Sequence, residues 1–76
     1  MTEAAIADAV RLVAEVLDLG VERIGAETSM LNEPAWDSLA HMRLIMAIES
    51  RLGRELSPEI LVEIMTISDV ARALKA

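Results

Sequence analysis

Ser38 and His41 stand three residues apart in the run Trp36-Asp37-Ser38-Leu39-Ala40-His41. On a helix that spacing lets a hydroxyl and an imidazole approach each other, the beginning of a nucleophilic pair. Activation also needs a third group to orient the base and donors for an oxyanion, and nothing else in the chain is spaced to supply either. With one histidine in all, hydrolase chemistry is set aside, and His41 is read as a partly buried, hydrogen-bonded residue at the edge of a core. Glu27, Asn32, Glu33 and Asp37 gather oxygen ligands but lack the D-x-D-x-D-G spacing of a calcium loop. They are read as solvated surface acids, and no metal site is expected. A serine in the first turn of a helix is, however, well placed to carry an anion. The free amides and the positive end of the helix dipole favour a phosphate there, so an ester on Ser38 would be held by the backbone without a dedicated base.

The helix that must position Ser38 is readable directly. From Ser38 to Leu52 there is no Gly or Pro, and Asp37 stands where its carboxylate can cap the first free amides. At 100° per residue, Leu44, Ile45, Ile48 and Leu52 share one sector, the stripe expected to face a core. Leu39, Met42 and Met46 form a second apolar sector on the side of Ser38, separated from the first by Ser38 and Glu49. Either the bundle surrounds this helix and buries both sectors, or the second is a contact surface around an exposed serine, with flexible thioethers that adapt to several partners.

The flanking segments read as three more helices. Residues 3–17 carry Ile6, Val10, Val13 and Leu17 at helical spacing, with Thr2 as cap and Gly20 as the left-handed stop. Residues 21–36 have no sustained period and contain Gly25, Asn32 and Pro34, so they form a long connection, with Ile24, Met30 and Leu31 available to pin it to the core. Trp36 ends that connection, as ordinary core packing or as a staple folded against the first turn near His41. After a turn at Gly53, Ser57-Pro58-Glu59 restarts the chain as cap, first helical residue and first-turn acid, and a short helix runs through Ile60, Leu61 and Ile64. Thr66-Ile67-Ser68-Asp69 is a capping box with Asp in place of Glu, opening a final helix whose apolar side is Val70, Ala71, Ala73 and Leu74. The expected fold is all-α: a small four-helix bundle over residues 1–76, with three longer helices, one short one and a long loop between the first and second.

Composition limits what such a bundle can do. A chain of 76 residues makes one domain with a small core, so a deep catalytic cavity is not expected. It has one Trp, no Phe or Tyr, and a net charge of −6. Without stacking platforms and against that charge, nucleic acid is excluded and basic protein partners are favoured. There is no cysteine, so any thiol chemistry must be brought in from outside. No basic start with an apolar run and no membrane-length stretch is seen, so no membrane span is expected, and the chain is read as a cytoplasmic monomer.

Taken together, Asp37-Ser38-Leu39 heading a Met- and Leu-rich helix that ends in Ala47-Ile48-Glu49, the long loop before it, and Gly53, Ser57 and Thr66-Ile67-Ser68-Asp69-Val70 after it resemble an acyl carrier protein over the whole chain. The resemblance implies that Ser38, with Asp37 beside it, receives 4′-phosphopantetheine from coenzyme A through a phosphopantetheinyl transferase. The arm's thiol then holds acyl or aminoacyl groups as thioesters, and the chain itself catalyses nothing. It also implies a docking face of Trp36, Leu39, Met42, Arg43, Met46 and Glu49 for the transferase, for a loading ligase or acyltransferase, and for later biosynthetic enzymes. An acyl pocket would lie among His41, Leu44, Ile45, Leu61 and Ile64. Fatty-acid carriers typically have Gly before the Asp-Ser-Leu motif and Glu five residues after the serine, where this chain has Trp36 and Arg43. That departure looks more like stand-alone carriers of specialised pathways. The competing reading is an unmodified helical adaptor that binds a partner through the Leu39, Met42 and Met46 face and has no use for the Ser38 hydroxyl.

Overall fold

Each helix begins where a side chain or a proline settles its first turn. In the computed structural model, which describes residues 2–75, α1 (Glu3–Leu17) starts behind Thr2, whose hydroxyl accepts from the Ala5 N–H at 3.1 Å. In the same way α2 (Ser38–Leu52) starts behind Asp37, whose Oδ1 accepts from the Ala40 N–H at 2.9 Å. The short α3 (Pro58–Glu63) opens on Pro58, where the missing N–H costs nothing. Finally, α4 (Ile67–Leu74) opens on a full capping box between Thr66 and Asp69. These are the four helices among the described residues, with one 3-10 turn at Val21–Arg23. Met1 and Ala76, included in the single-domain reading, lie outside the described residues.

The core is aliphatic around one indole. Trp36, Leu44, Ile48, Ile67, Val13 and Val70 are the largest fully buried side chains. Burying each aliphatic one stabilises the fold by about 1.5–3 kcal/mol relative to leaving it in water. Helix α1 packs on both α4 and α2, and α2 also meets α4. That double contact explains why α1 buries Ala9, Leu12, Val13, Ala14 and Leu17, a wider face than the expected stripe, whose Ile6 and Val10 are only partly covered. Small alanines let two neighbours approach at once. By contrast α3 buries none of its six residues. It is the least embedded helix and ends at Glu63, one residue before the expected Ile64, although the Ile64 N–H still bonds the Ile60 carbonyl at 3.2 Å.

Three local expectations are corrected. The left-handed residue that closes α1 is Asp18 (φ 59°), not Gly20, whose φ is −68°. Asp tolerates that region, and the Leu19 N–H then reaches back to the Ala14 carbonyl at 2.9 Å, closing the end without glycine. Ser57 precedes α3 but its side chain makes no capping bond. Leu31 does not pin the loop: it is 85% exposed, while Ile24 is buried and Met30 is half-buried.

The long connection is ordered by its own hydrogen bonds. Ser29 pairs with Thr66 as an isolated antiparallel bridge, the Met30 N–H donates to the Met65 carbonyl at 2.9 Å, and the Ile67 N–H donates to the Thr28 carbonyl at 3.2 Å. The loop is thereby tied to the α3–α4 junction. Its far end is fixed by Glu33, expected to be a solvated acid but in fact buried. The Arg23 guanidinium donates to both Glu33 oxygens, at 3.1 and 3.0 Å, and the Ala35 N–H donates to Oε2 at 2.9 Å. The Glu33 carbonyl takes the Trp36 N–H at 3.0 Å, so this carboxylate sets the entry to α2. Desolvation is met by a bidentate partner, which is how a buried acid stays charged.

Candidate functional site

Ser38 is the first residue of α2 and is exposed. Asp37 holds the Ala40 N–H, and the His41 N–H donates to the Asp37 carbonyl at 2.8 Å. The amides of Ser38 and Leu39 have no acceptor among the described residues. An exposed hydroxyl beside two free amides at the positive end of a 15-residue helix suits a phosphate ester, and the nearest imidazole, His41, has its ring nitrogens turned to Trp36 and the Leu61 carbonyl. Among the described residues no group of three or more His, Asp or Glu side chains is placed to hold a metal ion.

The second apolar sector of α2 is not covered. Leu39, Met42 and Met46 are 61%, 65% and 66% exposed. Arg43 is exposed on the same helix and Glu49 is half-buried, with one Glu49 oxygen accepting from the Leu56 N–H at 2.9 Å. Trp36 does not belong to this face. It is 1% exposed, and an indole sealed in the core cannot touch a partner. Its ring stacks on that of His41 at a centroid separation of 6.3 Å, and its Nε1–H donates to His41 Nδ1 at 3.1 Å. This is a staple across the first turn with a hydrogen bond added.

A cleft of about 280 Å³ opens beside α2, lined by His41, Met42, Ile45, Met46, Glu49 and Leu61. Of the residues expected to form an acyl pocket, His41, Ile45 and Leu61 are brought together here. Leu44 and Ile64 are not. Leu44 is wholly buried on the core side of α2, and Ile64 faces a separate depression with Ile60, Glu63, Asp69, Arg72 and Ala73. Met42, Met46 and Glu49, read from the sequence as docking residues, also line the cleft, so contact face and cleft mouth are one surface.

Two carboxylates outside that surface hold the surrounding frame. The Arg23 guanidinium, helped by the Ala35 N–H, holds Glu33 below the usual carboxylate range. For Asp69, desolvation pushes upward, but it is outweighed by the Met65 N–H, the Thr66 hydroxyl and N–H, and Arg72, and the pKa is lowered. Neither Arg23–Glu33 nor His41–Leu61 was legible beforehand, since partners ten and twenty residues apart leave no periodic signal.

The comparison with known proteins decides what the serine-headed helix belongs to. A family model described as the phosphopantetheine attachment site matches residues 8–74. The chain belongs to the acyl carrier protein family. It is 38% identical over 63 residues to an acyl carrier protein of Streptomyces coelicolor, an overlap covering 83% of this chain and 68% of that one. It is 30% identical over 77 residues to acyl carrier protein 3 of Ralstonia nicotianae, covering 100% of this chain and 88% of the relative. Carriers of this family bear 4′-phosphopantetheine, catalyse nothing themselves, and interact with a phosphopantetheinyl transferase and with biosynthetic enzymes. The four-helix architecture agrees with that family, and no described helix is long and apolar enough to cross a membrane.

Proposed function

We propose that this carrier takes its 4′-phosphopantetheine arm on Ser38. The observation that carries the assignment is the exposed hydroxyl on the first residue of α2, fixed by the Asp37 cap. In the attachment step Ser38 Oγ forms the new O–P bond, the diphosphate bond of coenzyme A breaks with its electron pair leaving on the phosphate oxygen of adenosine 3′,5′-bisphosphate, and the hydroxyl proton passes to a base of the transferase. Asp37 fixes the first turn, and the free amides of Ser38 and Leu39 lie at the end of the helix that favours the phosphodiester. When attached, the arm supplies a terminal thiol that holds acyl or aminoacyl groups as thioesters.

The docking face is assigned to Leu39, Met42, Arg43 and Met46, with Glu49 at its edge. Loading ligases or acyltransferases and later enzymes would read this surface, and tethering gives the cargo a high local concentration at each of them. The cleft of His41, Ile45 and Leu61 is assigned to cargo or arm. Arg43 places a cation on the contact face of an otherwise acidic chain, which argues for partners of a specialised biosynthetic pathway with a complementary charge pattern. The test is intact mass with fragment-level localisation, before and after incubation with coenzyme A and a broad-specificity transferase. One phosphopantetheinyl group on Ser38 is expected. A folded, initially unmodified sample that gains nothing, even with the native host's transferase, would instead support the unmodified adaptor.

A further inference from the structure

An indole N–H can only donate, and the partner of Trp36 Nε1–H is His41 Nδ1. A neutral imidazole accepts at Nδ1 only when its proton is on Nε2, so Trp36 selects one tautomer of His41. The Nε2–H then meets the Leu61 carbonyl oxygen at 3.4 Å, close to the limit of a useful hydrogen bond. That oxygen lies in the last turn of α3, where carbonyls lack helical donors. The Met65 N–H, four residues on, is committed to Asp69 at 3.0 Å. Among the described residues this long bond is the side-chain hydrogen bond that joins α3 to α2, and α3 otherwise rests on the core through Ile60 and Leu61, which are only partly buried.

Both partners line the cleft, whose other walls are Met42, Ile45, Met46 and Glu49. In that lining His41 is the side chain that presents a donor, because thioethers and alkyl groups have none and the Glu49 carboxylate serves as an acceptor for the Leu56 N–H. It stands three residues from Ser38, about 4.5 Å along the helix axis. A carbonyl oxygen entering the cleft therefore finds a donor already oriented, held by a weak bond.

We propose that His41 Nε2–H is a carbonyl-binding group of the cleft, which exchanges the Leu61 oxygen for a carbonyl oxygen of the tethered molecule and thereby releases α3. This rests on the carrier reading, and the shared chemistry has two sources: the amide carbonyls of the arm, or a carbonyl of the acyl cargo. The exchange conserves the hydrogen bond, since Leu61 oxygen turns to water while the ligand oxygen gives up water. A plain alkyl segment, with no acceptor, gains nothing from His41.

The test uses nitrogen-15-labelled protein in four states: unmodified, carrying the arm alone, hexanoyl-loaded and 3-oxohexanoyl-loaded, each verified by intact mass. Long-range proton–nitrogen spectra read the His41 tautomer and its Nε2–H shift, and hydrogen exchange reads the Ile64 N–H, which closes the end of α3 on the Ile60 carbonyl. The unmodified protein is expected to show the Nε2–H tautomer. A shift of Nε2–H with the arm alone assigns the acceptor to the arm. A shift first seen with both acyl groups assigns it to the thioester carbonyl, and one seen only with the 3-oxo group assigns it to the chain. In the shifted state Ile64 exchange rises by about 2- to 10-fold, the size of one lost hydrogen bond. Trp36→Phe, which removes the indole donor, is expected to mix the tautomers and shrink the response. An Nδ1–H tautomer in the unmodified protein, or a His41 ring that responds in none of the loaded states, overturns the proposal. A mass spectrum without the arm overturns the carrier reading itself and is read before any ring shift, so the two failures are distinct.

Discussion

Ser38 needs only exposure and a fixed backbone from its surroundings, and this separates its function from its stability. Ser38→Ala removes a hydroxyl that bonds nothing in the core, so unfolding free energy is expected to change by no more than about 0.5 kcal/mol in urea titrations. The same variant should gain no mass from coenzyme A and a transferase. The residues behind it are under the opposite constraint. In His41→Leu the Trp36 Nε1–H stays buried with its acceptor gone, a loss of about 1–3 kcal/mol. Adding Trp36→Phe removes the orphaned donor, so the double variant should be less destabilised than the sum of the single ones. A double-mutant cycle read by urea unfolding measures that coupling, and strict additivity would show that the indole–imidazole bond is not made.

The helices were legible because their signals are local. Asp37, Thr2 and the Thr66/Asp69 pair mark starts, Gly53 marks a stop, and a 3.6-residue period links Leu44, Ile45, Ile48 and Leu52. Burial is a property of neighbours, so periodicity could not tell that Trp36 goes inside while Leu39, Met42 and Met46 stay out. The same limit applies to the pocket: Leu44 and Ile45 are adjacent in one apolar stripe, but only Ile45 reaches the cleft, because α1 and α4 cover the other side. The cap of α4 carries more than its own helix. Asp69 accepts from the Met65 and Thr66 N–H groups, and that junction receives the loop through Met30 and Ile67. Thr66→Ala removes the acceptor of the Asp69 N–H and is expected to cost about 0.5–2 kcal/mol, measured by thermal unfolding. Faster hydrogen exchange at Met30 should accompany it, and a loss confined to α4 amides would argue against the coupling.

On the scale of the whole molecule, a net charge of −6 draws the carrier toward basic partners, and Arg43 opposes that pull at the contact face. Arg43→Glu should lower the carrier KM of a transferase that presents Arg or Lys there by about 2- to 5-fold, an exposed-pair effect that fades as salt is raised. Stability against acid is carried by two other charges. Glu33 and Asp69 both have lowered pKa values in the folded chain, so each binds a proton less readily folded than unfolded. Their stabilisation is complete above the ordinary carboxylate pKa and is lost as pH falls through the lowered folded values. Glu33 sets the entry to α2 and Asp69 sets the junction to which the loop is bridged, so protonation loosens both ends of the segment that presents Ser38. Circular dichroism melts between pH 6 and pH 2 should therefore show Tm falling in the acid limb. In Glu33→Gln the neutral-pH Tm is lower and the fall with acid is shallower, because that part of the stabilisation is already absent. An acid limb with wild-type slope in this variant would mean that the Arg23–Glu33 pair does not hold the loop.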